Sequence, residues 1–158
     1  RDKGTPIDNL SNYNSSEENL VYIAPMADIR QKKLLFGTKT AMLKLVSGAE
    51  FDVAKRTTAA TKLNEGDMVL FVHPVAESDH IVMQSAKDMF LRIEAGTIPE
   101  KKKGAVGVRG MRLASGDQLE AIYLLREEDE PVSVRIKDKE VVLNRLHVAN
   151  RDTKGVKR

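Results

Sequence analysis

The chain lacks cysteine and tryptophan, and only 4% of its 158 residues are aromatic. The absence of cysteine excludes disulfides, cysteine-based zinc sites and thiol catalysis, and it fits a reducing compartment. So few aromatic residues argue against single-strand nucleic-acid binding by base stacking. No apolar run approaches the ~18 residues that a membrane span needs. A hydrophobic content of 41% and a charged content of 31% are ordinary for one folded domain.

Recognisable catalytic and metal-binding patterns are also missing. His73, His80 and His147 show no metal-ligand spacing. The acidic run Glu127–Glu130 lacks the alternating ligands and central glycine of a calcium loop. It is interpreted as a solvated loop, with an autoinhibitory segment that competes for basic residues as the alternative. We therefore predict no catalytic residue, no metal site and no cofactor.

The net charge of +3 is small, but its sign alternates along the chain. Residues 30–62, 87–112 and 144–158 carry net charges of +6, +4 and +4, whereas residues 63–86 and 113–131 carry −4 and −5. In a folded protein such alternation can gather the positive stretches on one face. The chain begins at Arg1 with neither a methionine nor an apolar signal, which indicates a fragment of a longer protein.

A repeat of about 50 residues organises the chain. Lys62–Val69 matches Arg112–Leu119 around a shared leucine and a Gly-Asp pair, and Asn9–Leu10 followed by Leu20–Ile23 is a weaker copy. Gly66 and Gly116 in these copies predict tight turns with positive φ. The aspartates that follow them, at positions 67 and 117, are expected to bond backbone groups.

A second repeated element predicts hairpins between those copies. Leu34–Leu45 aligns without a gap to Val82–Ile93 at an offset of 48, and each reads as strand, polar turn, strand. Val132–Ile136 and Val141–Leu143 form a degenerate third copy. About four strands in about 50 residues are typical of a propeller-like blade.

The sequence therefore predicts an all-β, propeller-like protein of about three four-stranded blades, in a partial wheel or an open arc. The spacing of apolar residues within Asp117–Glu130 also fits a helix. The matching segment Asp67–Val72 is too short and too β-rich for a helix, so a strand is predicted in both copies. The approximate blades are residues 1–53, 54–101 and 102–150. Residues 151–158 form a basic tail, expected to be either a disordered phosphate-binding extension or a frayed end.

Three segments resemble a known family. Gly104–Leu113, followed by Gly116-Asp117, resembles the blade signature G-x-x-G-V-R-G-[IM]-x-L-x-x-G-D of the C-terminal domain of bacterial type IIA topoisomerase A subunits, the family of DNA gyrase and topoisomerase IV. Arg1–Leu10 is similar to its R-G-x-P-x-x-N-L element. Phe36–Lys44 resembles its strand–T-K-x-G–strand hairpin. The resemblance covers nearly the whole chain and implies a β-pinwheel whose blades exchange strands.

The resemblance also implies a function. The basic rim of such a domain binds and bends double-stranded DNA without sequence preference, and this wrapping supports strand passage by the intact enzyme. The implied partners are duplex DNA, the ATPase subunit of the enzyme and the remainder of the topoisomerase A subunit, in the bacterial cytoplasm at the nucleoid. A second copy of the chain is a further candidate partner, and no membrane is involved. The tyrosine nucleophile of the family lies in another domain, so Tyr13, Tyr22 and Tyr123 are interpreted as packing residues.

The sequence departs from the family at two places. The Q-R-R-G-G-x-G box of gyrase is absent, and Lys101–Gly104 does not match it, which favours topoisomerase IV or a relative without the box. The glycine of the hairpin turn is replaced by Ala41 and by Met89. An alternative function is a propeller-like protein-interaction module that makes no direct DNA contact.

The candidate DNA-binding residues are the cations of the hairpins and of the basic stretches before the Gly-Asp turns. Lys39, Lys44, Lys87 and Arg92 are aligned as equivalent hairpin positions that contact phosphates. The alternative for these cations is a solvated strand face whose lysines block aggregation, and some arginines have neighbouring acidic stretches as alternative partners. The full set is Lys32, Lys33, Lys39, Lys44, Lys55, Arg56, Lys62, Lys87, Arg92, Lys101, Lys102, Lys103, Arg109 and Arg112.

Overall fold

The computed structural model describes residues 21–54 and 58–158, which form a nearly all-β structure as predicted. Among these described residues, one short helix, α1 (Met26–Ile29), precedes the strands, and single 3₁₀ turns follow three of them at Gly48–Phe51, Ala95–Thr97 and Leu143–Arg145. None of the described helices has the length and apolar character to cross a bilayer. The strands are β1 (Lys33–Thr38), β2 (Met42–Ser47), β3 (Val69–Val75), β4 (His80–Ser85), β5 (Met89–Glu94), β6 (Val108–Arg109), β7 (Leu119–Leu125), β8 (Ser133–Ile136), β9 (Lys139–Val142) and β10 (Val156–Lys157).

The strands form two four-stranded sheets and a separate hairpin, all with antiparallel pairing. Sheet A has the order β3-β1-β2-β6, sheet B has the order β10-β5-β4-β7, and hairpin C consists of β8 and β9. Each sheet is a hairpin flanked by strands from later in the chain, which agrees with strand exchange between repeats. Sheet A contains strands from all three predicted blades. The predicted blade boundaries therefore mark the repeat in the sequence and not the limits of a sheet.

Three apolar layers hold the sheets in a stack. The central cluster lies between sheets A and B and includes Leu35, Leu43, Met83 and Ile93, all of them fully buried or nearly so. A second cluster joins the far face of sheet B to hairpin C, and a third covers the far face of sheet A with α1 and its flanking residues. Burying each such side chain contributes roughly 1.5–3 kcal/mol. The order of layers is therefore α1 segment, sheet A, sheet B, hairpin C.

The structure corrects the alignment of the two hairpins by one residue. The Ala41 N–H donates to the Thr38 carbonyl (2.9 Å), and the Asp88 N–H donates to the Ser85 carbonyl (3.0 Å). Ala41 and Asp88 both have positive φ, at 64° and 61°. The structural offset is therefore 47, and the turn glycine of the family is replaced by Asp88 rather than by Met89.

This shift also separates the four hairpin cations that the sequence alignment had paired. At an offset of 47, Lys44 corresponds to Leu91, and Arg92 corresponds to Leu45. Lys39 and Lys87 likewise have no basic counterpart in the other hairpin. The apolar runs of both hairpins are continuous rather than alternating, so the sequence did not determine which residues share a face.

The predicted tail is part of sheet B. Val156 and Lys157 form β10 opposite Phe90 and Met89, so the expectation of a disordered or frayed end is wrong. A side chain at Gly155 would clash with the Phe90 carbonyl, as one at Gly107 would with the Leu43 carbonyl of sheet A. Residues 155–157 thus repeat residues 107–109.

Candidate nucleic-acid interface

The turns of the first two hairpins lie side by side at one edge of the stack. Tip 1 is the Thr38–Met42 turn and tip 2 is the Ser85–Met89 turn. The beginning of β7 connects them, because the Leu119 N–H donates to the Lys39 carbonyl (2.8 Å) and the Ala86 N–H donates to the carbonyl of the residue before β7, Gln118 (2.9 Å).

The turn of hairpin C, tip 3 (Ile136–Lys139), continues the same edge. A cleft of about 420 Å³ lies between tips 2 and 3, with Asp88 and Arg158 on one side and Lys137 on the other. The Arg158 N–H donates to the Asp88 carbonyl (3.2 Å), which fixes the end of the chain against tip 2. The three tips therefore form one continuous surface, which we call the tip edge.

Tip 1 is fixed by the aspartate of the repeated Gly-Asp turn. Asp67 Oδ1 accepts hydrogen bonds from the backbone N–H groups of Thr40 (3.1 Å) and Met68 (2.9 Å), and Oδ2 accepts one from the Thr40 hydroxyl (2.6 Å). Burial opposes ionisation of this carboxyl, but hydrogen bonds from Thr40, Thr38 and Met68 outweigh it and hold the pKa of Asp67 below its ordinary value. Gly66 has a φ of 75°, so both predicted turn roles are confirmed.

Tip 2 is capped by the equivalent aspartate, Asp117, but no hydroxyl takes the place of the Thr40 hydroxyl. Asp117 Oδ1 accepts from the N–H groups of Lys87 (3.1 Å) and Gln118 (2.9 Å). Asp117 Oδ2 is buried and has no hydrogen-bond partner in the described part of the chain. Lys87 stands where tip 1 has Thr40, and its ammonium donates to the Ser115 carbonyl instead (2.9 Å).

The tip edge combines predicted cations with cations that the sequence did not point to. Lys39, Lys87, Arg109 and Arg112 were predicted. Arg109 lies in β6 opposite Met42 of tip 1. The missed residues are Lys137, Lys139, Lys157 and Arg158, which line the cleft between tips 2 and 3. The signal for Lys157 was available, because Gly155–Lys157 repeats the sequence and spacing of Gly107–Arg109.

Arg109 and Arg112 have a shared acidic partner. Asp152 Oδ1 lies 3.6 Å from an Arg109 terminal guanidinium nitrogen and 3.8 Å from Arg112 Nε. The two arginine side chains remain 56% and 55% exposed. Such long, exposed ion pairs contribute little stability and leave both guanidinium groups accessible to a phosphate.

Lys44 has a structural position instead. The residue is 2% exposed and its ammonium lies 5.6 Å from the centre of the Phe36 ring. Burial lowers the pKa of Lys44, and the nearby Glu50 carboxylate partly opposes that shift. Its ammonium donates to the carbonyls of Lys102 (3.2 Å), Lys103 (3.0 Å) and Ala105 (2.6 Å). Lys44 is therefore not accessible to a phosphate.

Arg92 has a comparable structural position in sheet B. Its Nε donates to Nδ1 of His80 (3.0 Å), and a terminal nitrogen donates to the carbonyls of Asn144 (2.7 Å) and Leu146 (3.2 Å). These bonds tie β5 to the 3₁₀ turn that follows hairpin C, and they occupy the guanidinium of a half-buried residue.

The Lys101–Lys103 loop forms a separate basic site beside β2. Lys101 and Lys102 are exposed, whereas the Lys103 ammonium donates to the Thr58 hydroxyl (3.1 Å). The Lys44 ammonium donates hydrogen bonds to the carbonyls of Lys102 and Lys103, and these bonds fix the conformation of the loop. Its lysines are not on the tip edge.

The remaining predicted cations are elsewhere. Lys32 and Lys33 are at the opposite end of β1, and at about 3.3 Å per residue Lys33 lies roughly 16 Å from tip 1. Lys33 is 3.3 Å from Glu100 in an ion pair. Lys62 is exposed, whereas Lys55 and Arg56 lie outside the described residues.

The histidines and tyrosines considered from the sequence either pack in the fold or lack metal-ligand neighbours in the described part of the chain. In the described ranges, no three histidine or carboxylate residues cluster as metal ligands. The Tyr123 hydroxyl donates to Gln84 (2.7 Å), and burial, together with the Glu120 charge, raises its pKa. Tyr22 packs against the far face of sheet A. Tyr13 is not among the described residues.

The chain matches known proteins in both family and fold. A family model described as "DNA gyrase C-terminal domain, beta-propeller" matches residues 32–76 and 79–126, more than half of the chain. The DNA gyrase A protein of Lawsonia intracellularis is 29% identical over 161 residues, which cover 98% of this chain and 20% of the relative. The corresponding protein of Salmonella typhimurium is 26% identical over 134 residues, covering 84% and 15%. The chain thus spans about a fifth or less of these relatives.

Two solved structures have the same fold. The C-terminal domain of a DNA topoisomerase IV superposes with a TM-score of 0.85 at 22% identity, covering 97% of this chain and 49% of that one. A DNA gyrase A C-terminal domain superposes with a TM-score of 0.77 at 20% identity, covering 98% and 52%. The chain spans about half of each solved domain.

Proposed function

Because the chain belongs to the DNA gyrase C-terminal β-propeller domain family, we propose that it binds duplex DNA along the tip edge and bends or wraps it. In this role it is an accessory, non-catalytic part of the A protein of a type IIA topoisomerase, and the held DNA supports strand passage by the rest of the enzyme. Its partners are then duplex DNA, the ATPase subunit and the remainder of the A protein. The proposed location is the bacterial cytoplasm, at the nucleoid.

The observation that carries this proposal is the continuity of the tip edge. Successive layers of packed sheets are about 10 Å apart, so the cations of the three tips are spaced to contact different phosphates of one duplex. Lysine and arginine on exposed turns contact phosphates rather than base edges, which gives affinity without sequence preference. The Lys101–Lys103 loop is proposed as a second contact region.

Bending follows from contacts on one side of the duplex. Smoothly bending a site of 20–30 base pairs by 40–90° costs on the order of 1–6 kcal/mol, which additional phosphate contacts can offset. A single tip gives few contacts, whereas three adjacent tips give enough contacts for the bent form to be favoured.

The test is binding to a duplex of about 150 base pairs across a salt series. With about 4–6 phosphate contacts, the log–log slope should be near −0.9 per contact and equal for unrelated sequences. Replacing Lys137, Lys139 and Lys157 with glutamine should remove about three contacts from that slope. The matched control replaces Arg30, Lys32 and Lys33, at the opposite end of sheet A, with glutamine.

Equal changes in slope for the two triple variants would contradict the assignment to the tip edge. No binding at low salt would overturn the proposal of DNA binding and favour the protein-interaction module.

A further inference from the structure

The Lys101–Lys103 loop and the residues that follow it turn their carbonyls toward a buried ammonium. The Lys44 ammonium donates to the carbonyls of Lys102 (3.2 Å), Lys103 (3.0 Å) and Ala105 (2.6 Å). In a planar trans peptide the N–H points opposite to the C=O. The N–H groups of the same three peptides therefore point away from Lys44, and they belong to Lys103, Gly104 and Val106.

One of these outward N–H groups already carries a carboxylate. The Lys103 N–H donates to Glu50 Oε1 (3.4 Å). The outward side of the loop therefore accepts a negatively charged oxygen from the chain itself. The side chain of Lys103 is also occupied, since its ammonium donates to the Thr58 hydroxyl (3.1 Å). A ligand would have to use the donors on either side of Lys103.

The Gly104 N–H is the outward donor that a ligand can reach. No acceptor contacts it among residues 21–54 and 58–158. Gly104 is exposed, and a Cβ added to it would meet no atom within 4 Å. Such space allows an anion to approach the backbone closely, and outward backbone N–H groups are a known form of anion site. Lys101 and Lys102 are exposed as well and add positive charge beside it.

The equivalent loop of sheet B has a different arrangement. At the 48-residue spacing of the two loops, Asp152 stands at the position of Gly104. Its N–H donates to the Gly110 carbonyl (2.9 Å), so the donor is used within the chain. Leu91 takes the position of Lys44 and supplies no ammonium to turn the carbonyls inward. The accessible N–H is therefore a property of the sheet A loop and not of the repeat.

We propose that the Gly104 N–H, together with the exposed Lys101 and Lys102, binds a phosphate of the duplex DNA backbone, and that Lys44 is the positioning residue that turns this N–H outward. The inference rests on the proposed DNA binding and specifies its second contact region. A backbone donor contacts a phosphate oxygen whatever the base sequence. Because a buried cation already fixes the loop, binding costs less conformational entropy than it would with a flexible loop.

The direct test follows the amide signals of the ¹⁵N-labelled 158-residue chain by NMR, during titration with inorganic phosphate and, separately, with a short duplex. The Gly104 amide proton should move downfield and saturate with both, because it gains a hydrogen bond to an anion. The control signal is that of Gly96, whose N–H already donates to the Glu77 carbonyl (3.2 Å). Sodium chloride at equal ionic strength controls for salt.

The two titrations separate this inference from the proposed function. A duplex that binds while the Gly104 signal stays unchanged would overturn the site and leave DNA binding at the tip edge intact. A Gly104 shift with phosphate, but no binding of the duplex, would overturn DNA as the ligand and with it the proposed function.

Lys44→Met tests the positioning residue, because it removes the ammonium and keeps an apolar stem. It should abolish the duplex-induced shift of the Gly104 signal, while the signals of Lys39 and Lys87 at the tips still respond. A general loss of structure would not produce that split. An unchanged Gly104 response would overturn the positioning role of Lys44.

Gly104→Asp keeps the site testable if Lys44→Met does not fold, because the exposed position has space for a side chain. It introduces the residue of the sheet B loop and should lower the log–log salt slope of duplex binding by about 0.9, the value of one phosphate contact. The matched control is Ser78→Asp, which adds the same charge on an exposed turn between β3 and β4, at the end opposite the tips. Equal changes in slope for the two variants would overturn the site.

Discussion

Sheets A and B have the same backbone plan, but each binds a later segment of the chain through a different cation. Both have a positive-φ residue at the hairpin turn, an aspartate that caps the tip, and a glycine that approaches a carbonyl of the hairpin. In sheet A the buried Lys44 binds the carbonyls of Lys102, Lys103 and Ala105, and its equivalent in sheet B is Leu91. In sheet B, Arg92 binds the carbonyls of Asn144 and Leu146, from the opposite face of its strand. The repeat therefore preserves backbone geometry, while the cations that hold each loop differ.

The largest expected effect comes from giving sheet A the residue of sheet B. Lys44→Leu leaves three carbonyls without their charged donor and should lower the free energy of unfolding by about 2–4 kcal/mol. Urea unfolding measures it. The matched control, Lys33→Leu, breaks a half-exposed ion pair and should cost less than about 1 kcal/mol. Similar losses for both variants would contradict the structural position of Lys44.

The next largest effect concerns Asp67, the aspartate that caps tip 1. Because the pKa of Asp67 is lowered in the folded state, its contribution is present above the ordinary carboxyl pKa and is lost as pH falls through the folded value. Asp67→Asn should therefore cost about 1–2 kcal/mol at pH 7 and less in acid. Urea unfolding at pH 7 and in acid measures it. A loss that does not depend on pH would argue against a stabilised carboxylate.

A smaller effect follows from making tip 2 like tip 1. Lys87→Thr supplies a hydroxyl at the position of Thr40 and should give Asp117 Oδ2 its missing donor. The expected gain is about 0.5–1.5 kcal/mol, measured by thermal unfolding beside Lys87→Ala. If the alanine variant is equally stable, the unpaired oxygen is not the cause.

The smallest expected effect on stability is at the tip edge. Asp152→Asn removes a charge from two exposed ion pairs and should change the free energy of unfolding by less than about 1 kcal/mol. Asparagine tolerates the φ of 61° at this position. DNA affinity should rise, because Arg109 and Arg112 lose their acidic competitor. A duplex titration at fixed salt measures this, and lower affinity would contradict the assignment of these arginines to DNA.

The sequence predicted the hairpins and the Gly-Asp turns because both depend on local signals. The β7 strand was also predictable, since the repeat outweighed its helical spacing. The register of the hairpins was not, because runs such as Leu34–Phe36 are apolar on both faces. The burial of Lys44 depends on a loop about 60 residues later in the chain. The Lys157 position on the tip edge was missed because its Gly-Val-Lys segment was taken for a tail.

Strand exchange also sets the order in which the chain can fold. Leu43 of β2 pairs with Val108 of β6, 65 positions away, and Leu34 of β1 pairs with Pro74. Sheet A cannot be completed until those distant segments have been synthesised and their loops have closed. Contacts of such long sequence separation slow folding and make it cooperative. The chain should therefore fold as one unit, unlike linear repeat proteins in which each repeat contacts only its neighbours.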